Sequence, residues 1–316
     1  MRCVPWRAAA RRVPRSRLRA LAVAAAVTAV VTLLLVGTTV LRPGDVATAT
    51  PLLPAPLRTA TTGDHAAAVQ ALTQAAERQR ALSPAGAGPL LYSRSQVYGL
   101  DVTVARHQAT TVARTTIIDT WQRPDRSRHL ERHVQNVNRV GTNVGGPQPA
   151  DDRYNRQTEF PPGSPDLDPA TMPTDAAQLR ARLIARAVTS GAPASLHDIA
   201  VAGEALSDLA SGLTSPQQNA AYYEVLAQLP GVFDAGPVRD RAGRPGHAIG
   251  VVVSDHTSLV VATSYLVLAE SGTPLTTETV YTPGPPPGLR LPPDPTVATY
   301  TQIITVSRVR AVGDTH

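Results

Sequence analysis

The chain contains no lysine, only one cysteine (Cys3), and an aromatic share of just 4%. One cysteine excludes an intramolecular disulfide, so whatever folds must be stable without covalent staples. Scarce aromatics leave alanine, valine, threonine and leucine to fill most of any core. With lysine absent, all 30 basic residues are arginine. That bias, beside the excess of alanine, proline and glycine, reflects codon usage more than chemistry. At 316 residues the chain has room for one large domain or two small ones.

Acid is also missing from the N-terminal stretch. All 24 acidic residues lie beyond residue 42, whereas Arg2, Arg7, Arg11, Arg12, Arg15, Arg17, Arg19 and Arg42 all fall at or before it. Setting those eight aside leaves 22 arginines against 24 acids, a net of about −2. The formal charge of +6 therefore belongs to the tail. Nucleic-acid binding, which a basic chain would otherwise suggest, is not expected.

What the chain does have is one long apolar run. Residues 20–41 (ALAVAAAVTAVVTLLLVGTTVL) carry no charge and show no polar face. As a helix they would extend about 33 Å, enough for a hydrocarbon core of about 30 Å. The arginines of residues 1–19 place that tail in the cytoplasm and the rest of the chain outside, giving a single-pass anchor in the lipid bilayer of the cell membrane. The alternative is a cleaved signal peptide, because Ala47-Thr48-Ala49 has the small-x-small form of a cleavage site. Against it, the run exceeds the usual apolar core of such peptides, and Arg42-Pro43 interrupts the approach to the site. Both readings put residues 50–316 outside the cytoplasm. Cys3 lacks a lipobox, so it is either a palmitoylated membrane-proximal thiol or a plain free one.

Beyond the run, residues 42–63 are rich in proline, threonine and alanine and read as a stalk. An extracytoplasmic domain follows over 64–316. Asp64 to Leu82 has helical spacing in Ala68, Leu72, Ala75 and Ala76. From Tyr98 the period changes to two, with Tyr98, Leu100, Val102 and Val104 alternating with smaller or polar residues. Strands are expected over Thr110–Gln122 and Ser127–Val137, joined at Pro124-Asp125-Arg126. Residues 138–174 read as a long exposed loop.

Three helices come next. Asp175 and Gln178 have the form of a capping box, Leu196–Leu213 is the second helix, and Ser215-Pro216-Gln217-Gln218 opens the third. Ala221, Val225 and Leu229, with Tyr222 and Leu226, are its expected buried stripe. Strand patterns return over 232–283, with a glycine turn at Asp240–Gly246. Seven prolines mark 283–296 as a loop or arch before a last strand at Ala298–Val309. Helix, strands, helices, strands: the class is α+β, with a mainly antiparallel sheet.

Several phrases occur together: the N-terminal anchor, Trp121 before Pro124-Asp125-Arg126, MPTDAAQLRARL, SPQQNAAYYEVLAQLPGV, VRDRAGRPGHAIGV and ITVSRVRAVGD. With these the chain resembles a family of uncharacterised single-pass membrane proteins of high-GC Gram-positive bacteria, often encoded beside extracytoplasmic-function sigma factors. The likeness is strongest over residues 172–254. The outer domain is also similar to the half-open barrel of lipoprotein carriers and sigma-factor regulators, a curved sheet packed on helices. That likeness implies a hydrophobic ligand, a lipid or acyl chain, held between sheet and helices. The family supplies no catalytic motif to transfer.

His129 and His133 (HLERH) would share a zinc ion on a helix, but on a strand they stand about 13 Å apart. Ser254-Asp255-His256 holds the residue types of a hydrolase triad, yet adjacent residues do not orient one another, and no GxSxG elbow is present. Asp151, Asp152, Asp166 and Asp168 lack calcium-loop spacing, and Gly141, Gly145 and Gly146 lack a nucleotide fingerprint. No catalytic residue, metal or cofactor is expected. Trp121 is read as a packing anchor, with ligand stacking as the alternative. Of Tyr222 and Tyr223, about 100° apart on a helix, one should be buried and the other free to line a groove. Two function classes follow. The first is a non-enzymatic extracytoplasmic domain that senses or holds a ligand, or contacts another envelope protein. The second is an envelope hydrolase with a dispersed site.

Overall fold

The computed structural model describes residues 53–82, 88–105, 108–140, 148–149, 155–162, 164, 168–253, 262–281 and 295–316. The arginine tail 1–19, the apolar run 20–41, the start of the stalk and Ala47–Ala49 lie outside the described residues. Among the described residues no helix is long and apolar enough to cross a membrane.

Local sequence chemistry sets the helix limits. Helix α1 (His65–Ala81) begins where the Asp64 carboxylate accepts the Ala67 amide, satisfying one of the free first-turn donors. Asp175 does the same for the Gln178 amide at the start of α2 (Ala176–Thr189). Helix α3 (His197–Ala210) follows a single 3-10 turn at Ala194–Leu196. At α4 (Pro216–Ala227) the capping box is reciprocal: Ser215 accepts from Gln218, and the Gln218 side chain accepts the Ser215 amide. Pro230-Gly231 stops the chain from continuing that helix.

The strands are β1 (Leu90–Ala105), β2 (Gln108–Gln122), β3 (Arg128–Val140), β4 (Gln148–Pro149), β5 (Arg156–Phe160), β6 (Val232–Arg239), β7 (Pro245–Val252), β8 (Ala262–Leu268), β9 (Pro274–Tyr281) and β10 (Thr296–Val309). They form a 10-stranded sheet in the order β4-β3-β2-β1-β10-β9-β8-β7-β6, with β5 also paired to β3. Every pairing is antiparallel, and the sheet is curved and does not close. The pairing of β1 with β10, from Leu90↔Val309 to Gly99↔Thr299, joins the two ends of the domain.

Strand β1 begins at Leu90, ahead of the period-two stretch read from Tyr98, and a second stretch also differs from the sequence reading. The presumed loop 138–174 contains β5, whose residues pair with Arg128–Arg132 of β3. Arg128 lies 5.0 Å over the Phe160 ring, and His129 meets Glu159. The strand forms because of partners more than twenty residues upstream, which its polar composition does not reveal. The proline-rich loop, residues 282–294, lies outside the described residues.

Two cores lie on opposite faces of the sheet. On the first, Ile249, Val251, Leu266 and Leu268 meet the helices through Leu72, Leu183, Leu209 and Leu226, all fully buried or nearly so. On the second, Tyr98, Phe233, Tyr265, Val280, Val297 and Tyr300 are buried, and among the described residues no helix contributes to this cluster. The Phe233 ring lies directly on Gly250 across the β6–β7 pair; a Cβ there would meet it at 2.1 Å. A third small cluster, Leu90, Tyr92, Trp121 and Val309, sits under the C-terminal segment.

Candidate functional site

The second face is covered by an extended strap, residues 53–64, whose Leu53 and Leu57 pack on it. The strap also guards the edge strand β6: Ala60 donates to Ala235 O at 3.2 Å, and Asp234 donates to Asp64 O at 3.0 Å. Exposed strand edges invite pairing with other chains, so this cover has a protective effect. Gly63 allows the close approach, because a Cβ there would stand 1.8 Å from Asp234 O.

One buried ion pair pins the strap to the sheet. Glu278 of β9 has a side chain with no solvent exposure. Its Oε1 accepts the Leu57 amide at 2.8 Å, and its Oε2 accepts Arg241 Nε at 2.9 Å. Arg241 also donates to Ala55 O at 3.0 Å and lies 4.2 Å over the Tyr300 ring. Burial pushes the Glu278 carboxyl above its ordinary range, and the Arg241 charge works against that push. Tyr300 stacks on Tyr98 with centroids 5.4 Å apart. The Tyr98 hydroxyl is buried and has no hydrogen-bond partner among the described residues. An orphan hydroxyl in an apolar setting is costly, which makes it a point of attachment for a polar ligand atom or a water.

The opposite face holds a different arrangement. Arg186 of α2 donates to Asp208 Oδ2 of α3 at 2.7 Å, and the Tyr222 hydroxyl of α4 donates to the same oxygen at 2.5 Å. Glu204 lies 3.6 Å from Arg186. Burial raises the carboxyl of Asp208, opposed by the neighbouring guanidinium and the tyrosine hydrogen bond. Tyr223 is equally enclosed and donates to Gly272 O at 2.6 Å. Of the two tyrosines, one of which was expected to line a groove, both are fully buried. Helix α4 packs against α1, α2 and α3, and Tyr223 reaches the β8–β9 turn, so positions 100° apart are both interior. Three helices meet at this network, which crosslinks them.

Trp121 is likewise interior. Its Nε1 donates to Asp314 O at 2.7 Å, and its ring leans on Tyr92 at 5.1 Å. Beside it, His129 Nδ1 meets Glu159 at 2.6 Å while Nε2 meets Glu131 at 3.1 Å, and His133 reaches Glu131 at 3.4 Å. Both histidines are on a strand, as expected of the stretch that follows the Pro124-Asp125-Arg126 turn. Among the described residues no three His, Cys, Asp or Glu side chains are grouped to hold a metal ion. Asp168 accepts from Ala170 and Gln122 and caps a turn. Ser254, Asp255, His256, Asp151, Asp152, Asp166, Gly141, Gly145 and Gly146 lie outside the described residues.

Near the start of the strap an open groove of ≈ 580 Å³ runs between it and the β6–β7 hairpin, lined by Pro56, Arg58, Pro237, Val238, Arg239 and Pro245 among others. In comparison with known proteins, no family model and no curated protein matches the chain. The sequence reading missed Glu278, Arg241 and the Tyr98–Tyr300 pair. One local signal was available: Glu278 alternates with Thr276 and Val280, so an acid occupies an inward position among uncharged residues of the strand face.

Proposed function

We propose that the chain is a membrane-anchored extracytoplasmic domain that acts without catalysis. It holds or senses an apolar ligand, a lipid or acyl chain, on the sheet face that the strap covers. One observation carries this reading: among the described residues, an aromatic sheet face is roofed by an extended segment and not by a helical layer. That segment is held by two leucines, a few backbone hydrogen bonds and one buried carboxylate. An acyl chain presents the same chemistry as Leu53 and Leu57, and a polar head atom would satisfy the Tyr98 hydroxyl. The space between sheet and helices, where the resemblance puts a ligand, is filled with fully buried side chains such as Leu226, Leu266 and Tyr223. The strap is also the segment that leads back to the apolar run, so its displacement would be felt at the tether. Any relay to a sigma factor would need a partner protein, since a tail of about 19 residues is too short to fold.

The test is to purify the full chain from its native membrane in mild detergent and identify co-purifying molecules by mass spectrometry. A stoichiometric acyl-bearing molecule, reduced in a Phe233→Ala variant of unchanged helicity, is the expected result. A chain recovered empty, with the strap equally protected from hydrogen exchange with and without added lipid, would sink the reading.

A further inference from the structure

We infer that the groove between the strap and the β6–β7 hairpin binds anionic phospholipid headgroups of the membrane, with Arg58 and Arg239 as the phosphate-facing cations. The inference rests on the membrane-anchor reading above, but its own evidence is charge and position.

The local charges do not cancel. Four arginines lie at this end of the sheet: Arg58, Arg239, Arg241 and Arg244. Arg241 is taken up by buried Glu278, and Arg244 by Asp240, whose side chain is also buried. Arg58 and Arg239 are exposed and line the groove, and among the described residues Arg239 bonds only to a backbone carbonyl, Gly243 O at 2.8 Å. The nearby acid Asp234 is held by His247 at 2.7 Å. The remaining lining residues carry no charge: Pro56, Leu57, Pro237, Val238, Pro245 and Gly246. Paired cations over an apolar floor match a lipid phosphate and the first methylenes below it, not a free inorganic ion.

Position points the same way. The strap runs along β6 from its Arg239 end, where Leu57 and Arg58 lie, to its Val232 end, where His65 Nδ1 sits 2.8 Å from Val232 O. The chain therefore enters the domain at the arginine end. From Leu41, where the apolar run closes, to Leu53 is about twelve residues, which reach at most about 40 Å. The groove is therefore within reach of the outer face of the membrane. Each arginine near an anionic surface favours binding roughly five-fold, so the pair would favour it about 25-fold.

The experiment places the full chain in nanodiscs of phosphatidylcholine alone or mixed with phosphatidylglycerol and follows hydrogen exchange of residues 232–247. Expected is added protection only in the anionic discs, lost at high salt and lost in an Arg58→Gln/Arg239→Gln variant that melts at the parent temperature. Equal exchange in both lipids, or protection that survives the double substitution, overturns the inference. If the chain does not enter discs, the anchor reading falls. The groove is then judged by flotation of the same chain: co-flotation with phosphatidylglycerol vesicles but not phosphatidylcholine supports it, and flotation with neither overturns it.

Discussion

The Leu57 amide donates to Glu278 Oε1 at 2.8 Å, tying together residues 221 positions apart. Because Arg241 holds the other carboxylate oxygen, a single buried acid secures both the strap and the β6–β7 turn. Replacing Glu278 with Ala should cost about 3 kcal/mol, since it strands the Arg241 charge and the Leu57 amide together. Glu278→Gln keeps an acceptor for the amide and should cost less. Thermal melting gives the sizes, and limited proteolysis of residues 53–60 gives the location. A Glu278→Ala chain with parental melting and an uncut strap would show that the pin is dispensable.

Three helices depend on the oxygen atoms of Asp208. Tyr222→Phe removes one donor and should lower stability by about 1–2 kcal/mol. Asp208→Ala leaves Arg186 buried with only Glu204 nearby and should cost about 3 kcal/mol or more. Replacing both charges with apolar residues, Arg186→Met with Asp208→Leu, should be milder than Asp208→Ala alone. Chemical denaturation of the three variants checks that order; a double variant worse than Asp208→Ala would reverse it.

The His129 cluster makes β3–β5 pairing depend on pH. Partial burial disfavours the charged ring, but the bonds to Glu131 and Glu159 outweigh it and raise its pKa. Stability from the histidine is therefore complete below about pH 6.5, its unfolded value, and is lost as pH rises through the folded one. The hydrogen bond to His129 lowers both acids, opposed by slight desolvation, so their share is present above about pH 4.3 and lost as pH falls through their folded values. Amide protection of Arg156–Phe160 should peak between those limits and decline toward pH 8. His129→Asn should flatten the profile, and an unchanged profile in that variant would assign the dependence elsewhere.

Leu226 is fully buried on α4. Leu226→Asp places an unpaired carboxylate in that core, at a cost of several kcal/mol, and should unfold the domain. Circular dichroism and melting report it directly. Retention of both would mean that α4 can turn this side chain outward.

Much of the fold was legible because its causes are local. Asp64, Asp175 and Ser215 announce helix starts, since a cap acts within three residues of itself. Leu72, Leu183 and Leu226 fall at helical spacing, and Tyr98 and Leu100 at strand spacing, so the sequence by itself determined the α+β class and most element limits. The tertiary structure decided the rest. Polar β5 is a strand only because β3 offers its edge, and Tyr222 and Tyr223 are both interior only because α4 is covered on more than one side. What read as a stalk is, from residue 53, a strap fastened by an acid near the other end of the chain. Periodicity and capping are written within a few residues. The worth of a buried ion pair or a borrowed strand edge depends on which distant groups exclude water around it, and that exists only after the chain has folded.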